Sequence, residues 1–197
     1  AWEDAPDITV DTADACYAFL AEAHPWWKST TTYVINPTNP QGLSESFIGS
    51  AISNSAETWD VATPAELFKD IFSFSGKAQF GKHDGKNVLA FGNFDQSGVI
   101  AVTYLWFRSH PFPRIVEYDT LFDTDYYWGD AGTSPVTMDL QSIATHELGH
   151  GIGLADVYDS CYAVTMYGYS REGETWKRTL ESPDRSGLIA LTDDFVR

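Results

Sequence analysis

Residues 144–156 read ATHELGHGIGLAD, with His146 and His150 four positions apart, Glu147 beside the first and Gly153 three positions beyond the second. The run that contains them, MDLQSIATHELGHGIGL (138–154), spaces Leu140, Ile143, Ala144, Leu148 and Ile152 as one helical face, with Asp139 or Thr137 as the N-cap. On a helix, positions i and i+4 lie one turn apart on the same face, so both imidazoles can reach one metal ion. Zinc suits such a pair: it takes nitrogen and oxygen ligands at about 2.0 to 2.2 Å, needs a third protein ligand and keeps a position open for water. Gly153 is placed to end the helix with a positive φ and turn the chain back, which delivers Asp156 as the third ligand. Glu147 points to a neighbouring azimuth, beside the zinc-bound water rather than at the metal, and is the expected general base.

Outward from this helix the chain reads as one domain. TADACYAFLAEAHPWW (12–27) has helical spacing at Tyr17, Leu20 and Ala21 and stops at Pro25, which predicts a short helix packed on the main body. TTYVINP (31–37) predicts a strand closed by Asn-Pro, and Ser44 with Phe47, Ile48, Ile52, Ala56 and Trp59 predicts a long amphipathic helix. Four strand-like runs follow, LFKDIFSFS (67–75), NVLAFGN (87–93), GVIAVTYLWF (98–107) and RIVEYDTLF (114–122), separated by Gly, Asp and Asn turns. A last helix is predicted over SPDRSGLIAL (182–191), with Leu188, Ile189 and Leu191 inward. There is no internal repeat. The division expected is an N-terminal extension, 1–30, and a catalytic domain, 31–197.

The 197 residues include 43% hydrophobic and 15% aromatic side chains, enough for an ordinary core. Lys and Arg number 12 against 28 Asp and Glu, a net charge of −16, which disfavours nucleic acid and anionic membrane surfaces as partners. No apolar run approaches the ~18 residues of a membrane span. The numbering opens at Ala1 without a methionine or apolar leader, as it would after removal of a signal peptide or pro-segment, and equally at an arbitrary boundary. Cys16 and Cys161 can make one bridge, favoured in an oxidising compartment, or remain two buried thiols. A bridge would tie the N-terminal segment to the loop after the zinc helix. Asp119, Asp123, Asp125 and Asp130 are candidate calcium ligands or a solvated acidic surface. His24, His83 and His110 stand alone, and a second, structural zinc is not expected.

HELGHGIGLAD followed by VTMYGYS (164–170) resembles the metzincin metallopeptidases, and TTYVINPTNPQGLS, LFDTDYYW and PDRSGLIAL make roughly residues 31–195 similar to their matrixin branch. The resemblance implies an α+β fold: a twisted mixed five-stranded sheet with one antiparallel edge strand, a long first helix, the zinc helix, a Met-turn and a C-terminal helix. It implies a secreted, monomeric zinc endopeptidase that hydrolyses peptide bonds by attack of a zinc-bound water. His146, His150 and Asp156 become zinc ligands, Glu147 the general base and Met166 the floor beneath the metal. Matrixins usually supply histidine as third ligand; aspartate there is similar to the snapalysin-type metzincins, and Asp159 is the alternative oxygen ligand. Where astacins and serralysins carry a tyrosine two residues after the methionine, this chain has Gly168; Tyr167 and Tyr169 flank it, Tyr167 as a candidate pocket residue and Tyr169 undecided. Substrate is expected extended along an edge strand, with GVIAVTYLW (98–106) the candidate edge. Two rival readings are a latent chain whose first 30 residues fill the cleft and a non-catalytic zinc-binding module of the same fold.

Overall fold

Tyr33 and Ile35, aromatic and β-branched and both buried, start the main sheet; the computed structural model describes residues 16–20, 30–108 and 114–192. In chain order, β1 is Ala18–Phe19, β2 Tyr33–Ile35, β3 Ser73–Phe74, β4 Asn87–Gly92, β5 Ala101–Arg108, β6 Arg114–Asp123, β7 Trp128–Gly129, β8 Met138–Asp139 and β9 Leu154–Ala155. The five-stranded sheet has the order β3-β2-β4-β6-β5. Its β2–β3, β2–β4 and β4–β6 pairs are parallel, whereas β5 runs antiparallel to β6 as an edge, with a register shift between Trp106 and Phe107. The mixed sheet with one antiparallel edge is the architecture expected. Its parallel interior reads as apolar runs because both faces are covered, and Leu89, Ile115, Tyr118 and Phe122 are buried.

Helix α1, Glu45–Asp60, begins at Ser44, whose hydroxyl accepts from the Phe47 amide. Its apolar stripe, Ile48, Ile52, Ala56 and Trp59, packs on helix α2, Leu140–Gly151. Trp59 is fully buried and donates its indole N–H to the Thr145 carbonyl at 2.8 Å, while the Ser55 hydroxyl donates to the Gln141 carbonyl at 2.8 Å. Burial of one such large side chain contributes roughly 1.5–3 kcal/mol, and the two hydrogen bonds fix the rotation of α2 about its own axis. Asp139 is the N-cap of α2, accepting from the Ser142 amide at 2.8 Å. Arg178 then spans Asp139 and Asp130. Burial opposes the Asp139 charge, but that guanidinium and the backbone amides hold its pKa below the usual carboxylate value. Helix α3, Ser182–Thr192, closes the domain.

Two sequence expectations change. Within the helix expected over 12–27, the described residues are extended: β1 pairs antiparallel with β9, Ala18 opposite Ala155 and Phe19 opposite Leu154. The rest of that segment lies outside the described residues, as do His24 and His110. Helical spacing of Tyr17 and Leu20 loses to main-chain pairing here, and the Cys16–Cys161 disulfide, with Cα atoms 5.3 Å apart, tethers the strand. The run 67–75 yields only the two-residue β3 and an isolated bridge from Phe68 to Thr31, because Asp60 caps the Leu67 and Phe68 amides and bends the chain away from the sheet. Among the described residues no helix is long and apolar enough to cross a membrane.

Candidate active site

His146 and His150 leave α2 on one face, with ring centroids 4.7 Å apart and planes at 87°. Each Nδ1 is 2.8 Å from a backbone carbonyl, Thr165 for His146 and Leu154 for His150. A carbonyl only accepts, so each Nδ1 carries the hydrogen and each Nε2 is left to bind a metal. Both Nε2 atoms face Asp156 Oδ1, at 3.1 Å from His146 and 3.6 Å from His150. That oxygen is buried and has no hydrogen-bond partner. Three electron-rich atoms converging without a hydrogen between them repel one another, and a cation among them removes the repulsion; the donor set, two imidazoles and a carboxylate, suits zinc.

Gly153 makes this geometry reachable. Helix α2 ends at Gly151, and Gly153 takes φ +105°, a conformation costly for any side chain, so β9 departs at once toward Asp156. Asp159, the alternative ligand, lies in a 3-10 turn, Asp159–Cys161.

Glu147 also falls near the histidines: ligand atoms of His146, Glu147 and His150 lie within 4.8 Å of one another, the one such cluster among the described residues. Its Oε2, however, accepts the Thr103 hydroxyl at 2.6 Å from the edge strand β5, and Thr103 in turn is 2.8 Å from Thr120 on β6. The carboxylate is thereby held beside the histidine pair. Asp156 Oδ1 is the carboxylate oxygen that lies 3.1 and 3.6 Å from the two imidazole Nε2 atoms.

Met166 is fully buried. A Cβ on Gly149 would stand 2.3 Å from Met166 Sδ and 2.8 Å from the Trp59 ring, so the glycine between the histidines lets the methionine approach α2. Asp184 of α3 holds the turn: its carboxylate accepts from the Thr165 and Met166 amides at 2.9 and 3.1 Å, and from Glu181 at 2.9 Å. Thr165 then offers its carbonyl to His146. A chain of contacts thus runs from the C-terminal helix through the Met-turn to the first imidazole.

A cleft of about 440 Å³ opens in front of these groups, lined by Thr103 and Leu105 of β5, Ile143 of α2, Tyr169 and Lys177. Of the two tyrosines, Tyr169 borders the cleft; Tyr167 packs against the core and its ring lies 5.6 Å from that of Tyr169. Tyr167 is partly buried against the core, and its backbone bridges to Val157. The candidate calcium carboxylates are not brought together: Asp119 accepts from Gly81, Lys82 and Val88 amides, Asp123 from Asp125, Asp125 from Asn93, and Asp130 from Gly132 and Arg178. His83 stacks on Trp106, remote from the histidine pair in contact. Thr103, Lys177 and Asp184 carry parts of the site that sequence reasoning missed; only Asp184 had a signal, an acid in the first turn of a predicted helix.

The matrixin family profile matches residues 25–192. The chain is 28% identical over 204 residues to metalloendoproteinase 1 of Glycine max, covering 94% of this chain and 61% of that protein. It is 29% identical over 178 residues to neutrophil collagenase of Homo sapiens, covering 87% of this chain and 34% of that one. The chain thus spans less than two thirds of either relative.

Proposed function

This chain belongs to the matrixin family, and from that premise we propose that it is a zinc-dependent endopeptidase acting outside the cytosol. The single observation that carries the proposal is the convergence of His146 Nε2, His150 Nε2 and the unpartnered Asp156 Oδ1 on one point, with Glu147 beside it. His146, His150 and Asp156 would hold the zinc. When bound, zinc supplies Lewis-acid polarisation of the scissile carbonyl and lowers the pKa of water to about 7.

The rest of the reaction belongs to this chain's own groups. Glu147 accepts the proton of the attacking water as the new C–O bond forms, and returns it to the amine nitrogen as the C–N bond breaks. Thr103 fixes one carboxylate oxygen and leaves the other for proton exchange. The free edge of β5 offers backbone donors and acceptors to an extended peptide, which adds as a further strand. Met166 supports the two histidines from below. The Cys16–Cys161 disulfide fits an oxidising, extracellular compartment. Residues 31–197 form the catalytic domain in this reading, and 1–30 an extension.

The test is hydrolysis of casein at stoichiometric zinc by the wild type and by Glu147→Ala. Activity lost in the variant while zinc stays bound is the expected result; zinc bound by both with cleavage by neither would contradict it. One observation favours a second reading, a latent chain: Leu20 lines the cleft, and its amide donates to the Gly153 carbonyl at 2.9 Å. Mass spectrometry after incubation with zinc distinguishes them, since full activity at unchanged mass eliminates latency.

A further inference from the structure

Lys177 is a buried cation without a dedicated counter-ion. It sits in a 3-10 turn, Trp176–Arg178, between an indole and a guanidinium that turns the other way, toward Asp130 and Asp139. The Lys177 side chain turns inward, 3% exposed, and lines the cleft with Ile143, Glu147, Gly168 and Tyr169. An ammonium has three hydrogens to donate; among the described residues, one acceptor takes one of them, the Tyr167 carbonyl. Its charge also lies 5.3 Å from the centroid of the Trp176 ring.

The carboxylates within electrostatic range are each engaged elsewhere. Glu174 pairs with Arg171 at 2.7 Å, Asp184 serves three backbone amides, Glu147 takes the Thr103 hydroxyl, and Asp156 faces the two imidazoles. A zinc ion in that site would bring two positive charges, matching those of Asp156 and Glu147 and leaving the ammonium uncompensated. A charge taken out of water is costly unless it is paired and hydrogen-bonded. In a chain of net charge −16, a positive group kept at the wall of the cleft is the feature that electrostatic complementarity would use to choose a ligand.

We propose that Lys177 makes the pocket beside the Met-turn selective for an acidic side chain, so that the peptides bound carry aspartate or glutamate at the position that enters it. The proposal rests on the endopeptidase reading above for the identity of its ligand as a peptide. A carboxylate entering the pocket accepts the two hydrogens that Tyr167 leaves free, and it is selected against its own amide because an amide of the same shape brings no charge.

The test is a binding measurement that does not depend on turnover. Three peptides with a reduced, non-hydrolysable bond are compared by fluorescence anisotropy on the zinc-loaded wild type at pH 7, identical except for Glu, Gln or Leu immediately after that bond. The glutamate peptide is expected to bind at least about tenfold more tightly than the glutamine peptide. In Lys177→Met, which keeps the length and packing of the side chain, the ratio is expected to fall to about one. Equal or tighter binding of the Gln or Leu peptide by the wild type overturns the proposal without any variant, as does a ratio unchanged in Lys177→Met. The ordinary amide peptides are assayed in parallel. Cleavage without acidic preference sinks this inference alone, whereas acidic preference without cleavage sinks the endopeptidase reading and leaves this one standing.

Discussion

The Thr103 hydroxyl, on the edge strand that would receive substrate, donates to the Glu147 carboxylate on the zinc helix at 2.6 Å. The strand and the proposed base are therefore set by the same contact, although 44 residues separate them in sequence. Thr103→Val keeps the shape and removes the donor. A hydrogen bond to a charged group is worth about 1.5–3 kcal/mol, so kcat is expected to fall about 10- to 100-fold with zinc content unchanged. Steady-state kinetics on a fluorogenic peptide decides it, and an unaltered kcat would show that Glu147 is oriented by other means.

Gly149→Ala is expected to destabilise the fold by roughly 1–3 kcal/mol, the usual cost of overpacking a filled core. The added methyl would meet Met166 and Trp59, both fully buried. Urea unfolding of the metal-free proteins gives the difference, and an unchanged midpoint would mean that the methionine does not sit against the helix.

The bridge between Cys16 and Cys161 closes a loop with a sequence separation of 145 and ties β1 to the segment that carries Asp156. Replacing both cysteines by alanine should cost about 2–5 kcal/mol. Urea midpoints with and without reductant should coincide in the variant and differ in the wild type; a wild type indifferent to reductant would remove the bridge from the account.

Asp119 is fully buried, and burial lifts its pKa from 3.8 to about 6, outweighing the hydrogen bonds from Val88, Gly81 and Lys82, with the Glu117 charge adding to the rise. Asp60 rises from 3.8 to about 6 for the same leading reason. An acid whose pKa is higher folded than unfolded binds more protons when folded, so its contribution is full below the unfolded pKa and is lost as pH rises through the folded one. Thermal melts of the metal-free protein should therefore show this contribution declining between pH 3.8 and about 6. Asp119→Asn should flatten that slope, and parallel curves for the two proteins would contradict the assignment.

What the sequence made legible was local. The i, i+4 histidine pair with its adjacent acid, the glycine that ends the helix and the Ser44 cap each depend on residues within a few positions, so spacing alone exposes them. The β-branched and aromatic run 98–107 likewise read as a strand, and the family resemblance made it the candidate edge. β1 was hidden because two residues of main-chain pairing to β9, across most of the chain, outweigh the helical spacing around Tyr17. Thr103, Lys177 and Asp184 were hidden for a related reason: each acts through a contact with a distant element, and none differs locally from an ordinary strand, surface or helix-capping residue. Which of the two tyrosines flanking Gly168 borders the cleft was likewise not legible from spacing; Tyr169 does.

The central claim is that Asp156 completes the zinc site with His146 and His150 while Glu147 stands aside. Zinc per chain after exhaustive dialysis, measured by atomic absorption on the wild type, Asp156→Ala and Glu147→Gln, tests it most directly. One zinc is predicted for the wild type and for Glu147→Gln, with loss of the metal from Asp156→Ala. Zinc retained by Asp156→Ala and lost from Glu147→Gln would exchange the two roles and contradict the account.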